Sequence, residues 1–295
     1  MKVFSWEDVQ SGAAAGGIFG LANNCKSAVC VGGFDGCHIG HQAIFDALFE
    51  WKEKREGRPA DVLGLQKARP ASLACDRFLS GAVTFKRPPG SLKSSAYLGD
   101  VFTERLKLEF LEKRGFDFCV MIDFSENFSK IKGRDFLDQL RKFCSAQFLA
   151  AGSDFRLGHN SDTGVAELSD YATQNGLELK VLDDVLLDGR RVSSSLIRGA
   201  VLEGRFAFAK KLLGSPYRID CVPLTWRASS SGSCLSMIAN ERTTQVFPKA
   251  GRHPVCVVSD GKKSSAFFCA ESQFLRLEFP LGQKVSSIKE IEFPG

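Results

Sequence analysis

No stretch of the 295 residues approaches the roughly 18 uninterrupted apolar residues of a membrane span. Glu7 and Asp8 interrupt any apolar leader core in the opening MKVFSWEDVQ. A membrane partner and a secretory signal are therefore not expected, and a cytoplasmic protein is. The ten cysteines are scattered with no CxxC pair, which argues against a disulfide framework and leaves free, mostly buried thiols. There is no long basic run either: 39 Lys and Arg against 34 Asp and Glu give a formal charge of +5. That mild excess predicts no nucleic-acid partner but is compatible with small anionic substrates. Histidine is scarce, with four in the chain. Hydrophobic residues at 44% and charged residues at 25% are ordinary for a globular protein.

What is present is an alternation. From Ser27 to Gly214, short β-rich runs alternate with segments of helical period, the pattern of βαβ units and a mostly parallel sheet, hence an α/β domain. Strands are predicted at Ser27–Gly32, Ala82–Phe85, Phe118–Ile122, Gln147–Ala151 and Glu178–Leu182, with a helix from about Gly40 into Lys54. Phe102, Leu106 and Phe110 recur at helical spacing, and Phe136, Leu137, Leu140 and Cys144 line one face of a second helix. Val165, Leu168 and Ala172 mark a third, with Asp162 or Thr163 as its cap and Gly176 as its stop. From Pro216 the texture changes to Val, Phe, Ser and Gly, with turns expected near Ser230, Gly251 and Asp260-Gly261. A first domain over 1–215 followed by a small β domain over 216–295 is expected. Arg55 to Ser80 reads as a surface insertion or mobile loop.

Two segments carry candidate chemistry. In VGGFDGCHIGHQAIF (Val31 to Phe45), Gly32, Gly33 and Gly36 allow a sharp turn and close backbone approach. The helix opening near Gly40 directs N–H groups and a positive dipole end at phosphate. If that stretch has turned helical, His38 and His41, spaced i, i+3, share one face and reach one anion. In RVSSSLIRGAVLEG (Arg191 to Gly204), Ser193, Ser194 or Ser195 can cap a helix. Arg198 on its first turn could fork onto phosphate oxygens. Taken singly, the first segment reads better as surface polar residues beside a tight glycine turn, and the second as a capped surface helix with a solvated arginine.

Together they resemble the HxGH branch of the nucleotidyltransferase superfamily, whose HxGH and ISSTxxR motifs grip the ATP triphosphate. Here the second motif is Val192-Ser193-Ser194-Ser195-Leu196-Ile197-Arg198, with serine for the usual threonine. GxFDGxHxGHQ, the run AGSDFRLG (Ala151 to Gly158), SSxxIR and GRFAFAKKLLGSPY (Gly204 to Tyr217) follow the order found in prokaryotic riboflavin kinase/FAD synthetases. The resemblance covers most of residues 1 to 217. It implies a Rossmann-like parallel-sheet nucleotidyltransferase domain followed by a small β-barrel-like domain.

The activity implied is transfer of AMP from ATP to FMN, giving FAD and pyrophosphate, with Mg²⁺ held by substrate oxygens and water rather than by a protein cage. The same resemblance implies His38, His41, Ser193, Ser194 and Arg198 as catalytic phosphate ligands, and Gly32, Gly33, Phe34, Asp35 and Gly40 on the ATP side. Phe85, Asp154 and Phe155 are carried over to the flavin side.

Departures accompany the match. The family's FxPHP appears as Phe85-Lys86-Arg87-Pro88-Pro89, without its histidine. The kinase PTxN is reduced to Met237-Ile238-Ala239-Asn240, and the tail lacks room for the usual glutamate-bearing strand, with Glu278 a weak substitute. Loss of riboflavin phosphorylation is expected. Cys37 stands where the family commonly has a small aliphatic residue, and its alkylation is expected to inhibit. The alternatives are a bifunctional enzyme, an HxGH enzyme with another acceptor, or a flavin-binding protein without turnover.

Overall fold

The computed structural model describes residues 1–11, 26–56, 78–87, 97–123, 128–231, 234–239, 244–259, 261–270, 275–280, 285 and 287–295. The chain divides into two compact units. Met1–Phe34, Gly40–Pro89 and Leu108–Val185 form the first; Asp35–Ile39, Gly90–Lys107 and Leu186–Gly295 form the second.

In the first unit six strands pair in parallel: β1 (Lys2–Ser5), β2 (Lys26–Val31), β3 (Phe78–Phe85), β4 (Phe118–Ile122), β5 (Ala146–Gly152) and β6 (Glu178–Leu182). Their order is β1-β4-β3-β2-β5-β6. The helices are α1 (Trp6–Ser11), α2 (Ile39–Arg55), α3 (Glu104–Lys113, counted with the first unit from Leu108), α4 (Gly133–Cys144) and α5 (Val165–Asn175). β2 buries Ser27 through Val31 and β4 buries every residue, the continuous burial of parallel strands covered on both faces. Gly81 on β3 has no room for a side chain, because a Cβ there would stand 2.1 Å from Phe118 Cζ. The predicted face of α4, Phe136, Leu137, Leu140 and Cys144, is buried, with Phe136 stacked on Trp6 at 4.9 Å between ring centroids. Asp117 accepts hydrogen bonds from Lys52 Nζ and from the Ser80 N–H and hydroxyl, each at 2.8 Å. Burial pushes this carboxyl up, but the bonds from Lys52 and Ser80 outweigh it and hold the group below its ordinary pKa.

The predicted strands are present: β4 and β6 have the predicted bounds, β5 is longer at both ends, β2 runs Lys26–Val31 rather than Ser27–Gly32, and β3 starts at Phe78, inside the expected 55–80 insertion, so Phe78–Ser80 are strand rather than loop. Two helix details differ from expectation. Phe102 precedes α3, two residues before Glu104, so it is not part of that helix's stripe. The cap of α5 is Gly164, not Asp162 or Thr163: the Gly164 N–H donates to the Glu167 carboxylate at 2.8 Å. Asp162 is engaged elsewhere, accepting from the Gly133 N–H at 3.0 Å where α4 begins. Gly176 does end α5, at φ +62°.

The C-terminal stretch of the second unit, from Leu186, opens with a hairpin of β7 (Leu186–Leu187) and β8 (Arg190–Arg191). Its turn is Asp188-Gly189, both at positive φ, as a two-residue hairpin turn of the primed type requires. Helices α6 (Ser194–Leu202) and α7 (Phe206–Leu213) follow. Then come β9 (Tyr217–Asp220), β10 (Arg227–Ser231), β11 (Cys234–Ala239), β12 (Arg252–Ser259), β13 (Lys262–Ala270), β14 (Leu275–Pro280) and β15 (Glu290–Phe293). These seven form an antiparallel sheet in the order β10-β11-β14-β13-β12-β15-β9, the small β domain predicted from composition. Phe206 stacks on Phe293 at 4.0 Å, and Phe293 meets Phe268 at 5.4 Å, within its core. Gly251 and Gly261 both take positive φ at the expected turns. Residues 57–77 of the expected insertion, Pro88, Pro89, Asp260 and Asn240 lie outside the described residues. No helix among the described residues is long and apolar enough to cross a membrane.

Candidate active site

In the first unit β2 lies between β3 and β5, so the strand order reverses at β2. Ligands of open α/β sheets bind outside the carboxyl ends of the strands at such a reversal. From the end of β2 the chain leaves as Gly32-Gly33-Phe34, and from the neighbouring end of β5 as Ser153-Asp154-Phe155. The first of these turns is pinned to β3: the Gly32 N–H donates to Val83 O at 3.1 Å, and the Thr84 hydroxyl donates to Gly33 O at 3.0 Å. Phe34 is fully buried at φ +46°, its ring edge-on to Phe45 at 4.9 Å and to His41 at 5.3 Å. Only glycine fits at position 32, since a Cβ would lie 2.6 Å from Phe34 Cε1. Gly40 and His41 sit half-buried in the first turn of α2. Of the three residues carried over to the flavin side, Phe85 and Phe155 belong to the apolar core and Asp154 is exposed. The two rings therefore pack against protein, and Asp154 is the accessible member.

The second unit holds the other motif residues. Asp35, 4% exposed, accepts from the N–H of Val101 at 2.9 Å and of Phe102 at 3.0 Å, and its carboxylate pairs with Arg198 Nη2. Burial pushes the Asp35 carboxyl up, against the pull of Arg198, of the Phe102 and Val101 N–H groups and of Lys107. Arg198, 9% exposed, also donates from Nε to Gly99 O at 2.7 Å and from Nη2 to the Tyr97 hydroxyl at 3.4 Å. Its guanidinium carbon lies 5.0 Å from the Tyr97 ring centroid. Burial, then the hydrogen bond to Asp100, pushes the Tyr97 phenol far above its ordinary pKa, so it stays a neutral donor. Ser193 caps α6 by accepting the Leu196 N–H at 3.2 Å, and the Ser194 hydroxyl donates to Asp35 O at 2.9 Å.

FDG of the first motif and SSxxIR of the second, 163 positions apart at Asp35 and Arg198, are thus bonded together. Arg198 is the fifth residue of α6 rather than on its first turn, and it is neither a solvated surface arginine nor a wholly free fork: Nε and Nη2 are engaged by protein, and Nη1 is the edge left over. The loop between the motif halves is strained. Phe34, Gly36 and Cys37 all take positive φ, and a Cβ on Gly36 would meet Val101 Cγ1 at 2.6 Å. His38 is buried and precedes α2, so the helical-face reasoning does not extend to it. Cys37 is fully buried, which removes the expected attack by an alkylating reagent unless the loop opens. Tyr97, Gly99 and Asp100 were not found from sequence; the only signal is a YLGD run just ahead of α3, too short to stand out. Glu278 is paired with Arg252 at 3.0 Å on β14, as an ordinary strand residue would be. Among the described residues no three His, Cys, Asp or Glu side chains gather as a metal cage.

Residues 21–196 match the family described as FAD synthetase. A bifunctional riboflavin kinase/FMN adenylyltransferase of Buchnera aphidicola subsp. Schizaphis graminum is 27% identical over 199 residues, covering 67% of this chain and 57% of that protein. A FAD synthetase of Listeria monocytogenes is 23% identical over 195 residues, covering 65% and 70%. The chain spans little more than half the length of the bifunctional relative. Among solved structures, one titled a macrolide-efflux protein from Streptococcus pneumoniae superposes with a TM-score of 0.76 over 99% of this chain and 89% of that one, at 18% identity. At that identity the likeness speaks for the fold.

Proposed function

The chain belongs to the FAD synthetase family, and from that premise we propose that it is an FMN adenylyltransferase that makes FAD and does not phosphorylate riboflavin. The observation that carries the reading is the buried bonding of Asp35 to Arg198 and Ser194, which joins the two phosphate-gripping motifs. In the reaction an oxygen of the FMN phosphate attacks the α-phosphorus of MgATP in line. The bond from that phosphorus to the α–β bridging oxygen breaks, and pyrophosphate leaves with the electron pair. The attacking oxygen is already ionised at neutral pH, so no side chain need remove a proton. Catalysis is then positioning and charge stabilisation.

His38 and His41 donate to the triphosphate, with Arg198 presenting Nη1 to its outer oxygens while Asp35 and Gly99 hold the rest of the guanidinium. Ser193 and Ser194 set the start of α6, whose first-turn N–H groups face phosphate. Gly32, Gly33, Phe34 and Gly40 form the backbone wall on the adenosine side, Asp35 shapes the loop, and Asp154 lies toward the flavin. Mg²⁺ would arrive with the nucleotide, held by phosphate oxygens and water. Residues 1–215 are the transfer domain and 216–295 a kinase-like domain without PTxN, and the protein works in the cytoplasm on small molecules.

Incubation with MgATP and either FMN or riboflavin, followed by chromatography of the flavins and a pyrophosphate assay, tests this. FAD and pyrophosphate from FMN, with riboflavin returned unchanged, is the expected result. Absence of FAD from the FMN incubation overturns the transferase reading, and FMN formed from riboflavin overturns the loss of kinase.

A further inference from the structure

Residues 99–102 form a ribbon whose backbone polar groups point two ways within the second unit. On one side Gly99 O accepts from Arg198, and the N–H groups of Val101 and Phe102 donate to Asp35. On the other, the Asp100 N–H donates to Thr244 O at 2.8 Å and Asp100 O accepts the Val246 N–H at 2.9 Å. Val101 O accepts from Gln245 Nε2, also at 2.9 Å. The two backbones touch: a Cβ on Gly99, at φ +107°, would lie 2.8 Å from Thr244 O and 2.9 Å from Val246 N. Gln245 is 3% exposed and is tied on into the sheet, donating to Arg218 O at 2.8 Å and accepting the Asp220 N–H at 2.7 Å. Farther along the same stretch, Thr103 and Arg105 bond Asp220 on β9, and Arg105 reaches Glu290 on β15.

We propose that the C-terminal sheet is the positioning element of the Asp35–Arg198 pair, with residues 99–102 as the link and Gln245 as the positioning residue. A buried amide that satisfies three backbone groups holds the ribbon at one height, and the ribbon's opposite edge then fixes where the carboxylate and guanidinium meet. A β domain without kinase motifs thereby acquires a task in adenylyl transfer. In its catalytic consequence this rests on the proposed function; in its structural consequence it does not.

Gln245→Met removes the three hydrogen bonds to Val101 O, Arg218 O and the Asp220 N–H at similar length, and Gln245→Asn, which keeps the amide but draws it back, serves if the first variant does not fold. Cys37, fully buried in the loop that Asp35 holds, reports on that loop, while Cys30 and Cys119, equally buried in the first unit, report on general opening. Iodoacetamide labelling of the full chain under native conditions, read by peptide mass spectrometry, is expected to rise about tenfold at Cys37 with Cys30 and Cys119 unchanged. Wild-type labelling at Cys37, or an equal rise at all three thiols, overturns the proposal. In the FAD assay, Gln245→Met is expected to lower kcat/KM for ATP about tenfold in the wild-type background and to add nothing to Arg198→Ala. Full additivity overturns action through Arg198. A wild-type protein that forms no FAD defeats the proposed function, while the Cys37 labelling still decides the positioning role.

Discussion

Replacing Asp35 by asparagine removes one charge and almost no volume from the centre of the second unit. The carboxylate oxygen Oδ1 that receives the Val101 and Phe102 N–H groups has an amide counterpart, so those two bonds can persist. The other oxygen, which faces Arg198 Nη2, becomes an NH₂ group, and two donors then oppose each other at a site where Arg198 is 9% exposed. Breaking a buried pair by removing one partner costs about 3–5 kcal/mol. Gly99 O and the Tyr97 ring still support the guanidinium, which puts Asp35→Asn near the lower end, about 3 kcal/mol, or roughly a 100-fold shift in the folded-to-unfolded ratio. Urea unfolding followed by circular dichroism should show a lower midpoint at unchanged slope. Asp35→Asn combined with Arg198→Met, which removes both charges, should recover most of the loss. A single variant within about 0.5 kcal/mol of wild type, the range of ordinary surface substitutions, would show that water screens the pair and refute its placement as a buried anchor.

Arg198→Ala should lower kcat/KM for FAD formation by about 10²-fold, the scale of one preorganised donor, and Arg198→Lys should recover only part, because an ammonium cannot serve Gly99 O, Asp35 and a phosphate together. Equal activity of the lysine variant and wild type would contradict the planar role. Gly36→Ala forces a side chain into φ +81° and against Val101, and should destabilise by about 1–3 kcal/mol; an unchanged melting temperature counts against the strained loop. Asp117 is held below its ordinary pKa in the folded state. Its contribution is therefore present above the ordinary carboxylate range and lost as pH falls through the folded value. Asp117→Asn should flatten the acid side of a stability-against-pH curve, and an unaltered acid limb would remove Asp117 from that account.

Much of the first unit was legible in the sequence, because buried parallel strands such as FCVMI and the α4 stripe carry their periodicity locally. The cap of α5 was missed for a local reason of another kind. Asp162 has the side chain of a cap but is drawn away by the Gly133 N–H, while Gly164 relies on Glu167. Motif order singled out Asp35, His38, His41, Ser193, Ser194 and Arg198 as candidates, yet spacing along the chain could not say that Arg198 meets Asp35 and Tyr97. Nor could it say that residues 35–39 and 90–107 belong with the C-terminal sheet. Those partnerships depend on pairing across 99 to 163 positions, and no local pattern encodes them.

That distance also sets a timetable. A ribosome adds roughly 5 to 20 residues per second, so the loop bearing Asp35 waits roughly 10 to 40 s before Gln245 has been made. Until Arg198 has been made the strained turn has neither its guanidinium nor its clamp, a carboxylate destined for burial stays in water, and from Arg198 to Gln245 the clamp alone is missing. The first sheet can assemble while synthesis continues, because its six strands lie between Lys2 and Leu182. The site loop is thus among the first parts translated and among the last to reach its final shape, and premature release of the nascent chain would yield a folded sheet with an unformed centre.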